Sequence, residues 1–341
     1  MSAIRPALDA LCEGVERLTA WVGETVRPQD LGVLDRAGHL PLGPPGGRVS
    51  PNGACRLVRA ADGWMALNLA REEDRDLIPA WLLTGETGDA WDLVEARAAD
   101  HSCAALVERA ALLGLPASRV GEAAGAPAVR ALRHGEDRVA RDAWRVVDLS
   151  ALWAGPLCGA ILAATGGAVT KVESVRRPDP TRATTPGFHK ALNGAKAELA
   201  LDLATPAGQA GLRDRIVQAD VLITSARPRA LPSLGLDADT LLGTNPGLVW
   251  VAITGHGWAG EAGVRVAFGD DAAAAGGLVG RVGDAPAFLG DALADPVAGL
   301  AAAAAVLTAL ADRRGAFLEV SMAGAAASAA TASGLERAAW A

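Results

Sequence analysis

The sequence predicts an α/β protein: a parallel sheet with helices on both faces, and a smaller α+β domain beside it. Two observations carry this. From Trp144 onward, apolar runs of strand length alternate with helical stretches, the pattern of parallel crossover units. Before that, residues 49–125 hold two short strand candidates, an Asp-Gly turn and polar-capped helices.

Residues 1–38 read as one helix and a tail, and 1–48 as that helix with a Pro/Gly linker. Ile4, Leu8, Leu11, Val15 and Leu18 recur every three or four positions, an amphipathic stripe. Leu42–Gly53, rich in Pro and Gly, reads as a linker or a set of turns. In the small domain, 49–125, the strands are Cys55–Val58 and Trp64–Leu69, with Ala60–Gly63 as the turn. Helices are expected over Arg71–Leu83 and Ala99–Gly114, the latter with the stripe Leu106, Ala110 and Leu113. Residues 126–142, with Arg130, Arg133, Arg138 and Arg141, read as a solvated linker.

The large domain, 143–341, opens with strand Arg145–Leu149, an Ala-rich helix over Gly155–Thr165 and strand Ala168–Glu173. The Gly166-Gly167 pair stops the helix. Glu198–Leu203, Val221–Thr224, Leu248–Thr254 and Ala316–Ser321 are further strands. Thr205-Pro206 starts a helix over Gln209–Ala219, Thr as N-cap and Pro in the first turn. Asp237–Leu242 and Pro296–Leu310 are the other helices. The turn Ser150–Pro156 is short and small-residued, so backbone can approach a ligand at the carboxyl end of the first strand. An ordinary turn without a ligand fits it equally, because no Gly-x-Gly-x-x-Gly is present.

Composition narrows the function. Half of the 341 residues are apolar, enough for a sizeable core, and the net charge is −7 with both signs mixed along the chain. Nucleic acid and anionic membrane are therefore not expected as partners. Cys12, Cys55, Cys103 and Cys158 form no Cys-x-x-Cys, so neither a metal site nor a disulfide framework is expected. No basic segment followed by an apolar run begins the chain, and the run Ala301–Val306 is too short to span a bilayer. A cytoplasmic protein is the expectation.

A series of short motifs adds to this reading. Asp148-Leu-Ser, Ala154-Gly-Pro156, Gly166-Gly-Ala168 and Lys171-Val-Glu173 are followed by Asn193-Gly-Ala-Lys196 and Leu201–Pro206. Then come Arg227-Pro228, Asn245-Pro246, Ile253–Gly257, Leu293–Leu300 and Phe317–Val320. In this order they resemble class III coenzyme A transferases (CaiB/BaiF, formyl-CoA transferase-like). The resemblance implies a Rossmann-like CoA-binding domain and acyl-CoA and carboxylic acid substrates. It also implies a homodimer and no permanently bound cofactor. Leu115–Val120 resembles a strand of the family's small domain, which there follows the large one and here precedes it.

Asp295 is the first candidate. An acid before Pro296 at a helix start reads, from the residues, as an N-cap. The resemblance instead places the family's nucleophilic carboxylate there, carrying acyl and CoA through a mixed anhydride and an aspartyl-CoA thioester. Gly255, His256 and Gly257 read as an oxyanion-donor loop or as a plain strand-end turn. Candidate phosphate cations at strand ends are Lys171, Arg176, Arg177, Arg182, Arg227 and Arg265. Arg229 lies beside Arg227.

The resemblance further implies that Leu152, Trp153 and Ala154 lie along CoA, with Ser225 nearby. Three positions depart from the family: Ser225-Ala226 replaces Asn-Phe, Trp153 replaces Gln and Ser174 replaces a basic residue. Asp270 and Asp271 read as turn residues in preference to site lining. Two rivals remain. An acyl-CoA racemase of the same superfamily is less favoured, because Phe268-Gly-Asp-Asp271 lacks the racemase His. The other is a non-catalytic CoA-binding subunit.

Overall fold

The computed structural model describes residues 4–138 and 143–335. Within residues 49–125, β1 (Cys55–Ala60), β2 (Gly63–Asn68) and β3 (Ala117–Arg119) form an antiparallel sheet in sequential order. Ala61-Asp62 is the two-residue loop joining β1 to β2. The helix expected over Arg71–Leu83 is broken into Glu72–Arg75 and Ile78–Leu82. Pro79 lies in the first turn of the second piece, the position where its missing N–H does least harm. The next expected helix starts later, at Cys103, where Ser102 caps it through the Ala105 amide at 3.2 Å.

The large sheet has seven strands. They are β4 (Val129–Asp137), β5 (Arg145–Leu149), β6 (Ala168–Ser174), β7 (Ala197–Leu201), β8 (Val221–Thr224) and β9 (Val249–Thr254), followed, after the hairpin β10 (Val279–Val282) and β11 (Ala285–Phe288), by β12 (Arg314–Ser321). The order is β4-β12-β9-β8-β5-β6-β7, parallel except for β4, which runs antiparallel to β12 at one edge. Helices on both faces make it the Rossmann-like sheet expected.

Four differences from the sequence reading have physical causes. Residues 129–137, expected as linker, form the edge strand because backbone pairing with β12 outweighs their polarity. Arg130 pairs with Glu319 at 2.9 Å, Arg133 with Asp239 at 2.8 Å and Arg138 with Asp220 at 3.0 Å; Arg141 lies outside the described residues. Lys171 sits within β6, not at its end. Helices Gly269–Ala275 and Met322–Ala332 have weak sequence signals because they are rich in Ala and Gly and largely buried, and Pro186–Asn193, half buried, is a further helix of only eight residues. Finally, helix Arg5–Val22 packs on helix Ala294–Ala311, so Ile4, Leu8, Cys12 and Val15 join the large-domain core and not a separate segment.

Helix Ala294–Ala311 is long and apolar enough to cross a membrane by those criteria alone. Here it is mostly buried between helix Arg5–Val22 and helix Ala154–Ala164. Gly299 allows that contact: a Cβ there would meet the Ala154 carbonyl oxygen at 2.7 Å. This packing brings the starts of two helices, Ala154 and Ala294, together.

Candidate active site

The turn after β5 is built from beneath by buried charge. Asp148 Oδ1 accepts the Ser150 amide at 3.0 Å, and its Oδ2 receives Lys196 Nζ at 2.7 Å. Lys196 also donates to Pro156 O and Asn193 Oδ1, both at 2.8 Å. Lys171, fully buried, donates to the Ser150 carbonyl and stands 3.6 Å from Asp179. Asp179 Oδ2 accepts the Leu152 amide at 3.1 Å, and Ser225 Oγ accepts the Ala151 amide at 3.0 Å. These contacts hold Leu152 at φ +69°, a left-handed conformation that a β-carbon disfavours. Buried Trp153 then points inward, donating Nε1–H to Val33 O at 2.9 Å, and the Ala154 amide is turned to the next helix start.

Asp295 meets that amide. The helix begins at Ala294, not at Pro296, and its cap position is Leu293. Asp295 is therefore not the N-cap, and its carboxylate does not cap its own helix. Oδ1 instead accepts the Ala154 N–H at 3.3 Å. Oδ2 lies against Gly269, where a Cβ would fall 2.1 Å away. Asp295 is half-buried, which leaves part of it open. Burial lifts its carboxyl to about 7, against the pull of Arg36 and the Ala154 amide, while Asp270 and Asp291 add to the rise.

Arg36 and Asn52, which the sequence reading placed in a tail and a linker, complete the surroundings. Arg36 forks Asp291 at 2.7 and 2.8 Å and lies over the Trp153 ring at 4.9 Å. Asn52 Nδ2 donates to Asp270 Oδ2 at 2.7 Å and to Asp291 Oδ1 at 2.6 Å. Asp270 Oδ1 accepts the Ala292 amide at 2.7 Å. Asp270 and Asp271 are thus buried helix-start residues, not surface turn residues. Burial raises Asp270 to about 6 and Asp271 well above the carboxylate range. No local motif announces Arg36 or Asn52; their partners lie more than two hundred residues away in the chain.

The candidate cations divide. Lys171 is enclosed in the network under the turn. Exposed Arg176 pairs with Asp202 at 2.9 Å, and Arg182 with Glu173 at 2.9 Å and Glu198 at 3.0 Å. Arg265 donates to Ala117 O at 3.0 Å and to Glu122, tying the segment after β9 to β3 and the turn that follows it. Arg177, Arg227 and Arg229 make no side-chain hydrogen bond or ion pair among the described residues. Arg227 is pushed down by burial and by Arg229, Arg71 and Arg177, so these four guanidinium groups share one region. Arg71, from the small domain, escaped the sequence reading; it forks Asp74 and lies 5.8 Å over the Phe268 ring, next to Gly269.

The turn Gly255–Gly257 packs tightly elsewhere. A Cβ at Gly255 would meet Ala267 Cβ at 2.7 Å, and one at Gly257 would meet Glu319 Oε1 at 3.1 Å. His256 is buried 3.9 Å from Glu122, and burial with Arg265 pushes it down to about 3, so it is neutral. No hydrogen bond joins this turn to Asp295 among the described residues. The structure thus brings together Leu152, Trp153, Ala154, Ser225 and Asp295 in one place and Arg177 and Arg227 in another. It engages Lys171, Arg176, Arg182 and Arg265 with protein carboxylates.

Comparison with known proteins gives the same family. Residues 142–339 match CoA-transferase family III. Succinyl-CoA–D-citramalate CoA-transferase of Chloroflexus aurantiacus is 33% identical over 182 residues, which cover 50% of this chain and 45% of that protein. Succinate–glutarate CoA-transferase of Agrobacterium fabrum is 36% identical over 129 residues, 34% of this chain and 32% of that one. The crystal structure of a CAIB/BAIF family protein from Brucella suis superposes with a TM-score of 0.52 at 27% identity, covering 57% of this chain and 56% of its own. The chain spans about half the length of such curated relatives. From the family match over more than half its length, the chain belongs to the class III coenzyme A transferases.

Proposed function

We propose that this protein moves coenzyme A from an acyl-CoA to a carboxylic acid, with Asp295 as the acyl carrier. The observation that carries the reading is the setting of Asp295. It is half-buried, is bonded to a neighbouring helix start and not its own, and lies against a glycine that leaves its second oxygen uncrowded. The family to which the chain belongs supports the same chemistry.

In this reading the ionised Asp295 oxygen attacks the thioester carbonyl, the C–S bond breaks, and CoA thiolate leaves a mixed anhydride. Thiolate then attacks the aspartyl carbonyl, the anhydride C–O bond breaks, and the donor acid departs as carboxylate. The acceptor carboxylate displaces thiolate from the aspartyl thioester. Thiolate finally attacks the acceptor carbonyl and returns Asp295 to its carboxylate. Water takes no part, and each step exchanges groups of similar energy. A carboxyl near pH 7 is ionised for a large fraction of molecules and remains a competent leaving group. The Arg71, Arg177, Arg227 and Arg229 region supplies charge for the CoA phosphates.

The racemase alternative needs two open acid–base groups flanking a carbon. His256 is buried beside Arg265, and Asp270 is buried and bonded to Asn52 and Ala292. Transfer is therefore the better reading. We also expect a homodimer, with an acyl-CoA and a carboxylic acid as the small-molecule partners.

The test is incubation with a panel of acyl-CoAs followed by peptide mass spectrometry. A CoA-sized adduct on the peptide bearing Asp295, absent from Asp295→Asn, is the expected result. No adduct with any acyl-CoA, together with tight CoA binding, would leave the non-catalytic subunit in its place.

A further inference from the structure

We propose that Asn52 is a positioning residue for Asp295, acting through Asp270 and the backbone of Ala292. The inference rests on the transfer reading above and adds a device contributed by a segment outside residues 142–339.

The path is short and closed. Asn52 sits in the turn before β1, where its Oδ1 accepts the Ala54 amide at 2.8 Å and the Ser50 hydroxyl at 3.1 Å. Its Nδ2 is thereby aimed at two acids, Asp270 and Asp291, that are 2% and 9% exposed. Asp291 has Arg36 as a second partner; Asp270 has no cation within ion-pair distance among the described residues and depends on Asn52. Asp270 uses its remaining oxygen on the Ala292 amide. Ala292 stands at φ +46°, a left-handed conformation that a non-glycine residue keeps only when held. Its carbonyl in turn accepts the Asp295 amide at 2.9 Å. A Cβ at Gly269 would meet both that carbonyl oxygen, at 2.6 Å, and Asp295 Oδ2, so the elements leave no slack for Asp295 to shift unnoticed.

Loss of the Asn52 amide leaves two buried acids facing each other without their shared donor. Asp270 then loosens its hold on Ala292, the left-handed residue relaxes, and the helix start carrying Asp295 moves away from Ala154. A displacement of about 1 Å at a reacting group costs on the order of a hundredfold in rate. Asn52 makes no hydrogen bond to Arg71, Arg177, Arg227 or Arg229 among the described residues, so the effect falls on kcat and not KM.

The experiment uses the full chain as Asn52→Leu and, should that variant fold poorly, Asn52→Gln, which keeps a donor at the wrong reach. Two measurements are made. In amide hydrogen exchange, Ala292 and Asp295 should exchange about tenfold faster than in the parent, while Ala302 in the same helix is unchanged. In steady-state transfer, kcat should fall about a hundredfold with the KM for acyl-CoA within about threefold. Unchanged exchange at Ala292, or faster exchange along the whole helix, overturns the proposal, as does a local exchange change with unaltered kcat. If the parent protein forms no Asp295 adduct, the transfer reading fails, and the exchange pattern alone decides whether Asn52 holds the helix start.

Discussion

Asp295 Oδ1 and the amide nitrogen of Ala154 face each other at 3.3 Å, although the residues are 141 positions apart. Each begins a helix of the same face of the sheet. The contact gives the carboxylate a fixed donor without tying it to its own helix, and burial holds it near neutrality. Replacing Asp295 with Asn should abolish acyl transfer, a fall of at least about a thousandfold in kcat, with acyl-CoA binding retained. Binding by calorimetry and turnover on the same preparation check this.

The pH dependence follows from the same carboxyl. Below about 7 it carries a proton and cannot attack. In the free enzyme kcat/KM should therefore rise by about tenfold between pH 6 and pH 8. A profile flat over this range contradicts Asp295 as the attacking group.

Stability runs the opposite way. The folded pKa lies above the ordinary value of 3.8, so between the two the native state holds a proton that the unfolded chain has lost. Stability therefore falls as pH rises through this window. Asp295→Asn removes the cost and should be more stable than the parent at pH 8 by about 4 kcal/mol, with little difference at pH 4. Denaturant titration at the two pH values reads this out.

Gly269→Ala places a carbon where Asp295 Oδ2 and the Ala292 carbonyl already stand. The variant should fold, since the clash is confined to one helix start, but lose about a hundredfold in kcat. Circular dichroism and turnover together test it.

Lys171→Met should be severe for a different reason. It leaves Asp179 and Glu173 without their buried cation, and the turn that aims Ala154 without its support at Ser150. A loss of about 3 kcal/mol is expected by thermal or chemical unfolding. By contrast, Arg227→Ala, which removes a guanidinium with no hydrogen-bond or ion-pair partner among the described residues, should raise the KM for acyl-CoA about tenfold and leave stability almost unchanged.

The legible parts of the sequence were those with local causes. Strands β5, β6, β8 and β9 are apolar runs between turn signals, and Thr205 caps its helix through the Gly208 amide at 3.1 Å as its position before Pro206 predicts. Asp295 was legible only through its motif, because an acid beside a proline has the same pattern whether it caps or reacts. Lys171 read as a phosphate cation at a strand end, since its burial depends on partners from other stretches, the Ser150 carbonyl and Asp179, beside Glu173 of its own strand. Strand β4 has charges at both faces and no alternation, so only its partner β12 reveals it. Arg36, Asn52 and Arg71 carry no periodicity or motif at all; distant contacts define them.

The ties from Arg36 and Asn52 to Asp291 and Asp270 bear on modularity. The stretch that matches the family, although it holds six of the seven strands of the large sheet, all but β4, is not a self-sufficient unit. Excising it would strand two enclosed acids without cation or amide and strip the apolar cover that Ile4, Leu8 and Val15 lay over the Ala294–Ala311 helix. The leading fifty-odd residues are thus part of the packing that surrounds Asp270, Asp291 and Asp295.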